Sequence, residues 1–283
     1  MIDSIDKIDK NYIIDNSNKN LKDQLNNKHQ IRKTSDIKFD LGKSELNEEL
    51  KELLTQFFSR NRDVFATNLQ ELGKTSLYKH TIDTGDSKPI KCRLYRTSPA
   101  GKEEIQRQID EMLKNDIIEH STSEYSFPIV LVKKKNGEFA IDYRKLNAVT
   151  QPITYPLPRL DDVIDAIGQA NATIYTKLDL TSAYCQLGLD DNSKQKTAFI
   201  TYDNLYQFKR MPYGHNNACQ SFQALMNQVL RGLAWKHCFV YVDDVIIWSK
   251  DFESHLQHLD LVFQRLRKAN LTLRPNKCEF AKP

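Results

Sequence analysis

Apolar residues recur every three to four positions from Leu46 to Phe65 (Leu50, Leu53, Leu54, Phe57, Phe58), which predicts an amphipathic helix. Before it, Met1 to about Asp40 is dominated by Asn, Asp, Lys and Ser with isolated Ile residues and no period, the pattern of a disordered or weakly helical leader. His80 to Tyr95 reads as extended chain. Pro99 opens a helix whose Ile105, Ile109, Met112 and Leu113 share one face. A strand from Phe127 to Val132, an Asn136-Gly137 turn and a returning strand from Phe139 to Tyr143 make a hairpin. A short helix follows Pro158 and ends near Gly168. A second hairpin is centred on Tyr202-Asp203-Asn204, between Thr197–Thr201 and Leu205–Phe208.

The last third of the chain gives the clearest order. A strand runs from Thr173 to Leu180, and a helix from Asn217 to Leu233 buries Phe222, Leu225, Met226, Val229 and Leu230. Two short β-rich runs, His237–Val240 and Val245–Trp248, flank Tyr241-Val242-Asp243-Asp244. A helix from Phe252 to Leu266 comes next, and a strand pair is expected around Arg274-Pro275-Asn276. Strand, helix, strand-turn-strand, helix, strand is the split βαβ order of ferredoxin-like domains. The fold class is therefore α+β with an antiparallel sheet, and Asp179 falls on a strand next to the Asp-Asp hairpin.

At 283 residues the chain can bury a sizeable core, as one large domain or two small ones. Its net charge of +4 permits a nucleic-acid partner without requiring one. Five scattered cysteines with no metal-ligand spacing argue for reduced thiols in an intracellular, cytoplasmic setting. No apolar stretch approaches a membrane span, and the charged N-terminus lacks a signal-peptide core.

Two adjacent carboxylates between two buried strands are costly unless cations neutralise them. Magnesium is the natural ion, being hard, oxygen-seeking and ready to share its shell with phosphates. An ordinary polar turn explains Asp243-Asp244 equally well on these four residues alone. Asp179 adds a third carboxylate, and three could hold two magnesium ions for nucleotidyl transfer. Since neighbours on a strand point to opposite faces, Asp243 and Asp179 are assigned the main bridging role and Asp244 a weaker one.

Several motifs occur in an order that resembles a reverse transcriptase, most closely the Pol polyprotein of gypsy-type LTR retrotransposons. They are His80-Thr-Ile-Asp-Thr-Gly-Asp, Ser126-Phe-Pro-Ile-Val-Leu-Val-Lys-Lys-Lys, Asp142-Tyr-Arg-Lys-Leu-Asn147, Leu178-Asp-Leu-Thr-Ser-Ala-Tyr184, Arg210-Met-Pro-Tyr-Gly214, Tyr241-Val-Asp-Asp244 and Leu271-Thr-Leu-Arg-Pro-Asn-Lys-Cys-Glu-Phe280. The resemblance implies a polymerase right hand: a polar leader over 1–45, an N-terminal extension of the fingers over 46–98, fingers over 99–172, and a ferredoxin-like palm over 173–283 that includes some fingers elements within 195–215. It implies catalytic, metal-holding roles for Asp179, Asp243 and Asp244, with two Mg2+ ions or Mn2+ as a substitute. Tyr184 matches the aromatic residue under the incoming sugar, where a ring collides with a 2′-hydroxyl. Leu180, Tyr213 and Lys134 match nucleotide-contacting positions, and Gly214, Asp142, Arg144, Tyr241 and Val242 match template- or primer-contacting ones. A salt bridge explains Asp142 and Arg144 equally well.

The chain departs from the family pattern in three places. Gly137 to Asp142 is about two residues short and lacks an arginine that contacts the triphosphate. The usual Asn-Ala-Pro is Asn217-Ala218-Cys219, with His215 where an apolar residue is usual. The thumb, RNase H and integrase regions do not follow. A fragment or decayed copy of a Pol polyprotein is expected, acting with a primed RNA or DNA template and dNTPs, in the virus-like particle of its parent element. Its expected activity is RNA-directed DNA polymerisation, weak or lost in isolation. The alternatives are a catalytically dead nucleic-acid or protein binding module and an RNA-templated RNA polymerase, against which Tyr184 argues. Asp83-Thr84-Gly85 is also an aspartic-protease signature, but Asp86 and Ser-Lys-Pro replace the apolar strand that would bury it. His255 and His258, one helical turn apart without a third ligand, read as a surface or half-buried pair.

Overall fold

The computed structural model describes residues 44–131 and 139–283, together with Ile37, Phe39 and Leu41. The elements in chain order are α1 (Glu48–Arg60), β1 (Thr75–His80), α2 (Pro99–Lys114), β2 (Ile118–His120), β3 (Phe127–Leu131), β4 (Phe139–Ile141), α3 (Arg144–Val149), α4 (Leu160–Gln169) and β5 (Ile174–Asp179). They continue with β6 (Leu187–Leu189), α5 (Asp191–Lys196), β7 (Phe199–Ile200), β8 (Leu205–Phe208), α6 (Ala218–Val229), β9 (Cys238–Tyr241), β10 (Asp244–Ser249), α7 (Phe252–Lys268) and β11 (Glu279–Lys282).

One sheet has the order β11-β5-β10-β9, antiparallel throughout, which is the ferredoxin-like arrangement expected from the element order. Period-two alternation separates its faces. Leu178, Val245, Ile247, Cys238 and Val240 are buried, and Thr176 on that face bonds His255 of α7 at 2.7 Å. Lys177, Asp179, Asp244 and Ile246 belong to the opposite face, whose far end packs Trp248 and Phe239 with Val163 of α4. α4 therefore covers the end of the sheet remote from the carboxylates.

A second sheet has the order β2-β8-β7-β3-β4. Both expected hairpins are in it, although the Asn136-Gly137 turn lies outside the described residues. β1 pairs in parallel with β6. The helix expected within 46–65 forms as α1, with Asn47 accepting from the Leu50 N–H as its cap. Its Phe58 packs on Phe280 of β11 and Phe263 of α7.

Three expectations are corrected. The strand pair around Arg274-Pro275-Asn276 is a 3-10 turn, Pro275–Lys277, followed by the single strand β11, because proline has no N–H for a ladder while β5 has a free edge to pair. The helix begun at Asn217 stops at Val229, ahead of Gly232 at φ 84°. Of the pair expected at the surface or half-buried, His258 is half-buried but His255 is fully buried, bonded to Thr176 and to Ser249 Oγ at 3.0 Å. The short helices α3 and α5 went unforeseen, since six residues are too few to show a period.

Candidate active site

The Asp-Asp hairpin closes through a two-residue turn, Val242-Asp243, with Tyr241 and Asp244 as the paired flanking residues. Val242 sits at φ 55°, a backbone state that a β-branched residue rarely takes. Gln223 of α6 holds it there. Its Oε1 accepts from the Val242 N–H at 2.7 Å, and its Nε2 donates to the Val240 carbonyl at 3.2 Å. The turn lets Asp243 leave the strand while Asp244 opens β10 directly opposite Asp179. The Leu180 N–H donates to the Asp243 carbonyl at 3.3 Å, tying the turn to the end of β5.

Two lysines stand against this acidic corner. Lys177 Nζ lies 3.0 Å from Asp244 Oδ2, and Lys277 Nζ lies 3.8 Å from Asp179 Oδ2. Burial raises the Asp179 carboxyl above the ordinary aspartate value; Asp243 and Asp244 push the same way, and Lys277 and Arg274 oppose them. A cation beside this carboxylate would offset both its burial and its like-charged neighbours. Asp244 in turn holds the Lys177 ammonium above its usual value, chiefly through their hydrogen bond. Among the described residues no three acidic, histidine or cysteine side chains stand at metal-ligating separations. The donor set nevertheless fits a hard cation: it is all carboxylate, mutually repulsive, and balanced by the Lys177 and Lys277 ammonium groups.

Tyr184 lies in the 3-10 turn after β5, half-buried, with its ring 5.3 Å from Tyr213 and 5.9 Å from Phe222. Burial first, then Cys219 and Asp243, raise its phenol, so the ring and the carboxylates share one locality. Tyr213 is exposed, and Gly214 takes φ 89°, where a side chain would strain the backbone. Asn147 of α3 donates to the Gly214 carbonyl at 2.8 Å, which links this loop to the fingers segment. Tyr241 is exposed and Val242 buried. Leu180 is 3% exposed, so its side chain belongs to the core, which corrects the expectation that it contacts a nucleotide through that side chain. Both oxygens of Asp142 are occupied, by Arg144 at 2.7 and 2.9 Å and by the Tyr95 hydroxyl at 3.0 Å. Lys134 lies outside the described residues.

Sequence reasoning missed Gln223, Lys177, Lys277 and the partner of Tyr184. Lys177 left a signal, because it precedes Asp179 by two and so shares its face. Gln223 left a fainter one, as a polar residue beside Phe222 in a helix of buried residues. Cys219 and Lys277 stand in motifs the sequence singles out, but nothing local indicates that they meet Tyr184 and Asp179.

A ferredoxin-like sheet with paired carboxylates on its two central strands and an aromatic ring beside them defines the palm of a polymerase. Residues 132–283 match the family described as "Reverse transcriptase (RNA-dependent DNA polymerase)", and the chain belongs to that family. It is 37% identical over 255 residues to the retrovirus-related Pol polyprotein from transposon 297 of Drosophila melanogaster, covering 88% of this chain and 24% of that protein. Identity to the corresponding polyprotein from transposon gypsy of the same organism is 35% over 231 residues, covering 79% and 22%. The native prototype foamy virus protease–reverse transcriptase matches with a TM-score of 0.76 at 28% identity, over 85% of this chain and 32% of that one. The chain thus spans about a quarter of the curated relatives it matches.

Proposed function

We propose that this chain is the fingers-and-palm part of an RNA-directed DNA polymerase that adds deoxynucleotides to a primer 3′-end. The observation that carries the reading is Asp179 directly opposite Asp244 on central strands, with Asp243 in the adjoining turn. Asp179, Asp243 and Asp244 would hold two magnesium ions, or manganese in their place, which supply charge to the attacking 3′-oxygen and the leaving pyrophosphate. The chain's own residues do the rest. Lys177 and Lys277, which pair with Asp244 and Asp179, are the ammonium groups that would turn to phosphate oxygens were cations to hold those carboxylates. The Tyr184 ring excludes a 2′-hydroxyl, and Tyr213 and Gly214 flank the base and template. The working partners are a primed RNA or DNA template, dNTPs, and the protease, RNase H and integrase parts of a Pol polyprotein, in the cytoplasmic particle of the parent element.

Turnover is slow in this reading, since the shortened segment between Gly137 and Asp142 removes a bidentate phosphate clamp, a loss of about a few kcal/mol in the transition state. Primer extension on poly(rA)/oligo(dT) with magnesium tests it. Short, slow, template-dependent additions are expected, falling at least ~100-fold in Asp179→Asn. Incorporation that survives Asp179→Asn, or none by the unaltered chain, refutes the reading; fast processive synthesis refutes the role given to the clamp.

A further inference from the structure

The hydroxyl of Tyr184 meets the thiol of Cys219 at 3.0 Å. Cys219 is the second residue of α6, where a backbone N–H has no acceptor inside the helix. Proline, the family's usual residue there, therefore costs the helix nothing, and exchanging it for cysteine adds no helix bond either. What the exchange adds is a polar side chain aimed at the tip of the Tyr184 ring. The ring otherwise meets the fully buried Phe222 at 5.9 Å and the exposed Tyr213 at 5.3 Å between centroids. Burial and the thiol keep the phenol protonated, so its O–H is available to the sulfur.

We propose that Cys219 is a positioning residue that anchors the Tyr184 ring and so sets the discrimination between deoxyribo- and ribonucleotides. This rests on the polymerase reading. A ring whose hydroxyl is held by the thiol presents a fixed edge to the 2′ position of the sugar. A ring held by its aromatic neighbours alone can shift and make room for a hydroxyl, and small displacements at a reacting site have large consequences.

The test compares dATP with ATP incorporation by the full chain on a defined RNA template with a DNA primer. Cys219→Ala and Cys219→Pro are expected to raise the ATP-to-dATP ratio of kcat/KM ~10-fold, mainly through KM for ATP. Cys219→Ser, which keeps a hydrogen-bonding atom, should restore the ratio. A merely structural role would lower incorporation of both nucleotides and leave the ratio alone. Urea midpoints supply the second readout. Tyr184→Phe and Cys219→Ala should shift the midpoint together by no more than the larger single shift, because they break the same bond. An unchanged ratio in Cys219→Ala, a failure of Cys219→Ser to restore it, or additive midpoint shifts each overturn the inference while polymerisation persists. A chain that incorporates neither nucleotide instead overturns the polymerase reading, and the specificity role falls with it.

Discussion

Three of the described histidines, His80, His215 and His255, are buried as neutral groups. His80 Nδ1 lies 2.8 Å from Ser221 Oγ and its Nε2 lies 3.1 Å from His215 Nδ1, so β1, α6 and the loop before α6 are joined by one polar chain. Burial pushes His80 down to about 3 and His215 and His255 down to about 4. Each therefore stays neutral when folded and becomes protonated near its ordinary value of 6.5 when unfolded. Below that value the unfolded chain binds more protons, so stability is complete above about pH 6.5 and is lost as pH falls toward 4. The slope is about 1.4 kcal/mol per pH unit for each histidine across that window. Urea midpoints should fall steeply between pH 7 and pH 5, and His255→Gln, whose amide can still reach Thr176 and Ser249, should flatten part of the fall. Midpoints that stay level over that range would contradict neutral burial. The His80–His215 bond joins positions far apart in the chain, and no local pattern announces it.

At the scale of elements, the site depends on α6 gripping the β9–β10 hairpin. Gln223 is 0% exposed, and it satisfies the backbone on either side of Tyr241 while bonding Asn227 Oδ1 at 3.0 Å. Gln223→Ala leaves the buried Val242 N–H without its acceptor, a cost of about 1–3 kcal/mol. It also releases a turn that carries Asp243 in an unfavourable backbone state. Primer extension by Gln223→Ala should therefore drop ~100-fold or more while a cooperative unfolding transition persists. Activity near the unaltered level would show that the turn holds itself. The hairpin and α6 were both legible from period and composition, and so was the sheet order. The grip was not, because helix period shows which side is buried but not what a polar residue on that side touches.

Across the whole molecule, the first described helix and the last strand are one structure. Phe58 of α1 meets Phe39, Phe65, Phe263 and Phe280, with ring centroids 4.3 to 6.5 Å apart. Arg267 of α7 adds bonds to Asp63 at 2.5 and 2.8 Å and to Asn61 at 2.8 Å. Phe58→Ala opens a cavity where both ends of the described chain meet, and should destabilise by about 3–5 kcal/mol. Calorimetry should show one transition shifted down for the whole domain; loss of α1 alone, with the sheet unaffected, would argue against a shared core. Among the described residues no helix is long and apolar enough to cross a membrane.

The sequence by itself determined the longer helices and the strands of the palm sheet, their ferredoxin-like order and the three carboxylates, because these follow from local periodicity and from motifs confined to a few adjacent residues. The tertiary structure decided which groups face those carboxylates and the Tyr184 ring. Lys277 reaches them from the turn before β11, and Gln223 and Cys219 from α6, and such meetings depend on packing that no stretch of residues encodes alone. The same division explains the C-terminal correction: Pro275 excluded a strand locally, but only the free edge of β5 could place β11.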